Sequence, residues 1–218
     1  MEDVLEVYSR APLDDRPLVC LDEFAKQLLS ETRAPVAAVP GHHARQDYEY
    51  VREGSVSGFM IAIPHHGTRD VFIGPDGRRT ARDFASCLDH LATTILPDAS
   101  KILLVMDNLN THKEASLYEA FPAAKARALC ERFEIHYTPK HGSWLNMAEI
   151  EIGMLARTCL DRRIGSEEEF RNEVKAYLKW KNQFPKPISW QFTNEEARIK
   201  IKSLYPAICV LRNTSLKR

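Results

Sequence analysis

The sequence predicts an α/β protein built on a mixed sheet that is flanked by helices. Short apolar segments of strand length alternate with longer segments whose apolar residues recur every three or four positions. The first three extended segments follow one another closely, as in a meander, whereas the later two alternate with helical patterns. The composition of the 218 residues, with 44% hydrophobic and 28% charged, is that of an ordinary globular protein.

The first half of the chain contains three predicted strands. Residues 17–24 form a short apolar run that carries Asp22, and its length is typical of a buried strand. Residues 56–63 and 70–73 are two further extended segments, and the Gly-Pro-Asp-Gly sequence at 74–77 predicts the turn that ends the second of them.

A helix and a central strand come next. Thr80 and Asp83 have the spacing of a capping box, which predicts a helix that ends before Pro97. Residues 101–108 contain five consecutive apolar residues followed by Asp107, the pattern of a central strand covered on both faces. Because open α/β sheets bind ligands outside the carboxyl ends of their strands, Asp107 is a candidate site residue.

The remaining segments alternate between helix and strand. Residues 114–131 have helical periodicity, interrupted at Pro122, and residues 134–139 form another extended segment. A further helix is predicted from residue 145 to about residue 160, with Glu149 in its first turns.

The C-terminal part of the chain is helical and basic. Ser166 and Glu169 have capping-box spacing before an amphipathic helix, and Asn194 is placed to cap a last helix over 194–205. Residues 161–218 carry 13 basic and 7 acidic side chains, although the whole chain has a formal charge of zero. Residues 1–160 therefore carry a surplus of carboxylates. These carboxylates either lie on a solvated surface or are gathered where divalent cations neutralise them.

Neither a membrane span nor export is expected. No apolar run approaches 18 residues, and the N-terminal sequence is acidic where a secretory signal would be basic. The cysteines are odd in number, widely spread and without a C-x-x-C pair, so they are interpreted as reduced residues of a cytoplasmic protein. They are Cys20, Cys87, Cys130, Cys159 and Cys209.

Three carboxylates, Asp22, Asp107 and Glu149, lie on separate predicted elements. Two divalent metals about 4 Å apart need carboxylates from separate rigid elements, and such a pair activates a water or hydroxyl for attack on a phosphodiester. Mg²⁺ prefers oxygen ligands, which favours carboxylates over histidines.

The sequences VCLDE at 19–23, VMDNLNTHK at 105–113 and HGSWLNMAEIE at 141–151 resemble the three signature blocks of DDE transposases. The chain is similar to the bacterial insertion-sequence transposases related to the mariner superfamily, and the similarity extends to residues 192–206. The intervals between the three carboxylates are 84 and 41 residues. The second interval is longer than in mariner-type relatives, and we expect an extra segment around 117–125 to account for it.

The resemblance implies a ribonuclease-H-like fold in which Asp22, Asp107 and Glu149 bind two Mg²⁺ or Mn²⁺ ions. It implies in-line attack on phosphorus, first by water to nick the transposon end and then by the freed 3′-hydroxyl on target DNA. The implied partners are transposon ends, target DNA and a second copy of the chain, in the bacterial cytoplasm.

Several polar residues of the signature blocks are assigned supporting roles. Three follow the second aspartate and are expected to hold metal waters or DNA phosphates, and three precede the Glu149 helix and are expected to contact the DNA backbone or a base face. The first group is Asn108, Asn110 and His112, and the second is Lys140, His141 and Trp144.

Alternatives remain for two ligands and for one aromatic residue. Glu23 is an alternative to Asp22 as the ligand of the first strand. Glu151 is an alternative to Glu149, since Asn146 and Glu149 also have the spacing of a helix cap pair. Trp144 is equally interpretable as a core aromatic.

Residues 1–164 are expected to form the catalytic domain, and residues 165–218 a basic helical extension packed on it. Relatives place helix-turn-helix modules before the catalytic domain, whereas the first catalytic strand here begins about 17 residues from Met1, so the module is expected to be absent. A non-catalytic DNA-binding or dimerising remnant and a simple nuclease of the same fold are the alternative functions.

Overall fold

A five-stranded sheet with helices on both faces forms the protein. The computed structural model describes residues 1–45, 47–108, 113–140 and 142–202. In chain order the elements are α1 Glu2–Ser9, β1 Leu18–Glu31, β2 Tyr50–Ile63, β3 Thr68–Phe72, α2 Ala81–His90, β4 Ile102–Met106, α3 Ala115–Ala120, α4 Ala123–Arg132, β5 Phe133–Tyr137, α5 Ala148–Leu155, α6 Glu167–Lys181 and α7 Asn194–Lys200. Single turns of π-helix at Leu91–Ile95 and Ala156–Leu160 extend α2 and α5.

The sheet is mixed, as predicted, with the strand order β3-β2-β1-β4-β5. β1, β2 and β3 pair antiparallel, and their connections need no crossover. β4 and β5 join parallel to β1, since the chain crosses over through α2 and then through α3 and α4. All five residues of β4 are buried, as expected of a central strand covered on both faces.

The two faces of the sheet carry separate hydrophobic cores because side chains alternate along each strand. Cys20 and Phe24 of β1 pack into one core with residues of α1, α5, α6 and α7. Val19 and Leu21 pack into the other with residues of α2, α3 and α4. The alternation places Asp22 on the first face, beside α5.

Most local predictions agree with the structure. Thr80 and Asp83 form the predicted capping box of α2, and Pro122 separates α3 from α4. The Ser166 hydroxyl accepts a hydrogen bond from the Glu169 amide at the start of α6, whereas the Glu169 carboxylate turns to the Gly165 amide.

Three local predictions were incomplete or wrong. The eight-residue helix α1 was not predicted. Thr193, not Asn194, caps α7, because its side chain reaches the Glu196 amide. β1 and β2 are each 14 residues long, and the first half of β2 is exposed. That exposed half has no apolar pattern from which its length could be predicted.

Among the residues that the structure describes, no helix is both long enough and apolar enough to cross a membrane.

Loss of the α2 capping box is expected to lower the stability of the whole domain. The Thr80 hydroxyl accepts from the Asp83 amide at 3.3 Å, and the Asp83 carboxylate accepts from the Thr80 amide at 2.8 Å. We expect Thr80→Ala to lower the free energy of unfolding by about 1 kcal/mol in urea titrations. Thr80→Ser, which keeps the acceptor, is the control, and equal losses from both variants would contradict the role of the cap.

Candidate active site

Asp22 and Asp107 are neighbours across the β1–β4 pair. In the parallel register of these strands Leu21 lies opposite Met106, so the residues that follow, Asp22 and Asp107, continue the same alignment. Residues in register on parallel strands point to the same face of the sheet. The two carboxylates therefore share the face that α5 covers.

The environment of Asp22 shows that the carboxylates interact. The pKa of its carboxyl is raised from 3.8 to about 7, first by burial, then by the negative charge of Asp107, and further by that of Glu149. The Glu23 amide donates a hydrogen bond to Asp22 Oδ1 at 2.8 Å and opposes this rise. Asp107 and Glu149 are thus both within electrostatic reach of Asp22.

Thr138 holds the Asp107 carboxylate in place. Its hydroxyl donates to Asp107 Oδ1 at 2.5 Å, and its backbone amide donates to the Met106 carbonyl at 3.0 Å, which continues the β4–β5 pairing by one residue. Thr138 is buried and directly follows β5. Sequence reasoning missed it, although it lies near the carboxyl end of the extended segment predicted over 134–139, where ligands of α/β sheets bind.

Asn146 fixes the start of α5 against β1. It is buried, its amide nitrogen donates to the Leu21 carbonyl at 2.8 Å, and its amide oxygen accepts from the Ala148 backbone at 3.1 Å. The first of these bonds reaches the residue just before Asp22. Asn146 therefore caps Ala148 instead of forming a cap pair with Glu149, whose side chain stays exposed in the first turn of α5.

Both alternative carboxylates have other partners. Glu23 accepts a hydrogen bond from Arg79 at 3.2 Å, and strand alternation turns its side chain to the face opposite Asp22. Glu151 forms an ion pair with Arg69 in which both side chains are 2% exposed. These contacts turn both glutamate side chains away from Asp22 and Asp107, although the charge of Glu23 still adds to the raised pKa of Asp22.

The remaining candidate residues fall into two groups. Asn108 and Lys140 are exposed, and Trp144 is 45% exposed with its ring 5.7 Å from that of Phe192, so Trp144 is not a core residue. The second group, Asn110, His112 and His141, lies outside the described residues.

The chemistry of the donors fits a divalent cation with a preference for oxygen. The negative charges of Asp107 and Glu149 raise the pKa of Asp22, and a bound cation would offset this repulsion. Within the described part of the chain, however, no group of three acidic, His or Cys side chains is arranged to hold a metal unaided. Water and substrate oxygens would complete the coordination, as is usual for Mg²⁺.

The family comparison agrees with the predicted class of protein. The model of the DDE superfamily endonuclease family matches residues 17–171, which is more than half of the chain and includes all three carboxylates. The chain belongs to this family, and the prediction of a DDE-type enzyme is confirmed at that level. No curated protein matches the chain by sequence.

Solved structures of Mos1 transposase share the fold. The Mos1 transposase paired-end complex with left transposon end has a TM-score of 0.54 at 14% identity, covering 82% of this chain and 53% of that one. The Mos1 mariner paired end complex with Mn has a TM-score of 0.54 at 15% identity, covering 81% and 52%. The Mos1 strand transfer complex has a TM-score of 0.52 at 14% identity, covering 81% and 50%. The ribonuclease-H-like fold is thereby confirmed, and the chain spans about half the length of these proteins.

The raised pKa of Asp22 predicts that the cation-free protein loses stability as the pH rises. Between the ordinary pKa of 3.8 and the folded value of about 7, the unfolded chain releases a proton that the folded protein retains. Asp22→Asn is therefore expected to match the unaltered protein at pH 4. At pH 8 it is expected to be more stable by about 2 kcal/mol, a figure reduced for partial solvent screening.

Urea unfolding in the presence of a chelator at both pH values measures this difference. Asp14→Asn is the matched control, since Asp14 is an exposed carboxylate of the loop before β1. A variant of Asp22 that is no more stable at pH 8 than the unaltered chain would show that burial and repulsion do not act on this group.

Proposed function

We propose that this chain is the catalytic domain of a DNA transposase that nicks transposon ends and transfers the freed strand by in-line phosphoryl transfer. The observation that carries the proposal is the alignment of Asp22 with Asp107 on adjacent parallel strands, with the start of α5 and Glu149 tethered beside them. Membership of the endonuclease family and the shared fold with Mos1 transposase support it.

The three carboxylates would hold two Mg²⁺ or Mn²⁺ ions. When bound, such ions activate the attacking oxygen and stabilise the leaving oxygen of a phosphodiester. The donor chemistry supports this choice, and one of the similar Mos1 structures is a complex with Mn.

The residues of the chain itself set the geometry of the site. Thr138 fixes one oxygen of Asp107, and the Glu23 amide fixes one oxygen of Asp22, so each aspartate leaves its other oxygen for a cation. Glu149 is exposed at the start of α5 and close enough to raise the pKa of Asp22, so it would be open to a cation and to substrate. No serine, cysteine or tyrosine nucleophile is required, because a water and then a 3′-hydroxyl attack phosphorus.

DNA is the proposed partner, since the similar Mos1 structures include a complex with a transposon end. Exposed Asn108, Lys140 and Trp144 flank the carboxylates and are suited to contact phosphates and a base face. We assign residues 1–164 to the catalytic domain and the basic residues 165–218 to an extension that adds phosphate contacts. A second copy of the chain would pair two transposon ends.

Removal of any one carboxylate is expected to abolish turnover. Asp22→Asn, Asp107→Asn and Glu149→Gln should each lower the Mn²⁺-dependent nicking rate of a transposon-end duplex by about 1000-fold, or about 4 kcal/mol of transition-state stabilisation. The rate is measured by single-turnover gel assays on end-labelled DNA. Glu23→Gln is the matched control, since its carboxylate pairs with Arg79 on the other face and its loss should leave the rate within about threefold.

Full activity in the three variants, or an unaltered chain that shows no cation-dependent nicking, would contradict the proposal. If the chain nicks DNA but does not join the 3′ end to target DNA, it is an endonuclease, and the proposed strand-transfer step is wrong.

DNA binding is expected to depend on both cations and salt. The carboxylates repel phosphate until cations neutralise them, and basic side chains bind DNA through counterion release. Fluorescence anisotropy should show tighter binding with Ca²⁺, and weakening of about 100-fold or more between 50 and 200 mM salt. The triple variant Asp22→Asn, Asp107→Asn, Glu149→Gln is the control, and it should bind with little dependence on Ca²⁺. An equal response to Ca²⁺ in both proteins would show that these carboxylates do not govern binding.

A further inference from the structure

A buried ion pair connects α5 to the edge of the sheet. Arg69 of β3 donates from Nη2 to Glu151 Oε1 at 3.0 Å, and Arg69 Nε lies 2.9 Å from Glu151 Oε2. Both side chains are 2% exposed. The pair therefore meets at two points, one a hydrogen bond and the other an ion-pair contact without hydrogen-bond geometry, and two points fix direction as well as distance.

The same arginine also joins the C-terminal end of α6. Arg69 Nη1 donates to the Lys181 carbonyl at 3.3 Å. Asn182, which follows α6, accepts from the Arg69 amide at 3.2 Å and donates to the Arg69 carbonyl at 2.7 Å. Asn182 therefore holds the backbone of Arg69, and the Lys181 carbonyl holds its guanidinium. The arginine is thus a fixed partner for Glu151.

Glu151 and Glu149 point to nearly opposite sides of α5. Residues two positions apart in an α-helix are separated by about 200° around the axis. Whatever fixes the direction of Glu151 toward the sheet edge therefore fixes the direction of Glu149 away from it. At a side-chain radius of about 5 Å, a rotation of 20° about the helix axis would move the Glu149 carboxylate by about 2 Å.

Two polar contacts hold the ends of this helical segment, and the buried side chains of Ala148 and Leu155 pack it on the sheet. Asn146 binds the Leu21 carbonyl at the start. Lys26 Nζ donates to the carbonyls of Leu160 and Arg162 at the end, at 2.6 and 2.9 Å. The first contact joins the Asn146 side chain to the backbone of β1, and the second joins the Lys26 side chain to backbone carbonyls that follow α5. The contact to Glu151 instead engages a side chain within the helix, on one side of it.

We propose that the Arg69–Glu151 pair is a positioning device that sets the rotation of α5 and thereby aims Glu149 at Asp22 and Asp107. The inference rests on the proposed function of these carboxylates and adds two positioning residues to it. Both side chains are buried, so neither is placed to contact DNA. Displacement of a catalytic group by about 1 Å can cost 100-fold in rate, so a rotation of this size is sufficient to matter.

The test replaces both members of the pair at once. Arg69→Met with Glu151→Leu leaves no unpaired buried charge and keeps apolar volume, a change that proteins often tolerate without loss of stability. Arg69→Lys is the second variant, since it keeps the charge and loses the two-point contact. Arg127→Met with Glu131→Leu is the control, because this Arg–Glu pair is exposed and lies within α4. Thermal unfolding establishes that each variant folds.

The measurements are nicking kinetics and Mn²⁺ binding, the latter followed by the EPR signal of the free ion without DNA. We expect the double variant to lower kcat by 10- to 100-fold with an unchanged KM for DNA, and to weaken Mn²⁺ binding by about tenfold. Arg69→Lys should fall between it and the unaltered chain, and the control should match the unaltered chain.

A double-mutant cycle with Glu149→Gln separates positioning from a general structural effect. If the pair acts through Glu149, Glu149→Gln should weaken Mn²⁺ binding in the unaltered chain. It should change Mn²⁺ binding little in the variant that already carries Arg69→Met and Glu151→Leu. Additive effects, or a double variant that behaves as the control does, would overturn the inference while leaving the proposed function intact. Absence of both nicking and Mn²⁺ binding in the unaltered chain would overturn both.

Discussion

The parallel alignment of β1 with β4 is the constraint on which the rest of the site depends. It brings Asp22 and Asp107 side by side on one face of the sheet, where burial and mutual repulsion raise the pKa of Asp22. Such a pair is unfavourable in a protein without cations. Both strands must be rigid enough to hold it, and β4 is buried along its whole length while β1 pairs on both of its edges.

The third carboxylate cannot be supplied by the sheet, so its position depends on contacts that hold a helix against it. Asn146 connects the start of α5 to β1, Lys26 connects the end of the segment, and the Arg69–Glu151 pair connects its side to β3. These contacts include a buried charge pair, which contributes little net stability but fixes a direction. The polar groups around α5 are therefore better explained by geometry than by stability.

The sequence supported the prediction of β4, the α2 cap and the break at Pro122, because each is a local feature of apolar pattern or backbone chemistry. The sequence did not predict the length of β2, because the first half of this strand is exposed and lacks an apolar pattern. Helix α1 was not predicted because its eight residues make only about two turns, too few for its four buried residues to establish a helical period.

The sequence by itself determined the family and the mixed sheet, and it singled out the three carboxylates, since signature blocks and strand patterns are properties of neighbouring residues. The tertiary structure decided which acidic residues face one another. Asp22 and Glu23 are adjacent in sequence yet lie on opposite faces, and Glu149 and Glu151 are separated by about 200° on one helix. Thr138 became recognisable as a partner of Asp107 only when β5 was placed beside β4. Local periodicity separates the members of each glutamate or aspartate pair, but pairing of distant strands and packing of α5 decide which member faces Asp107, and no local pattern encodes that.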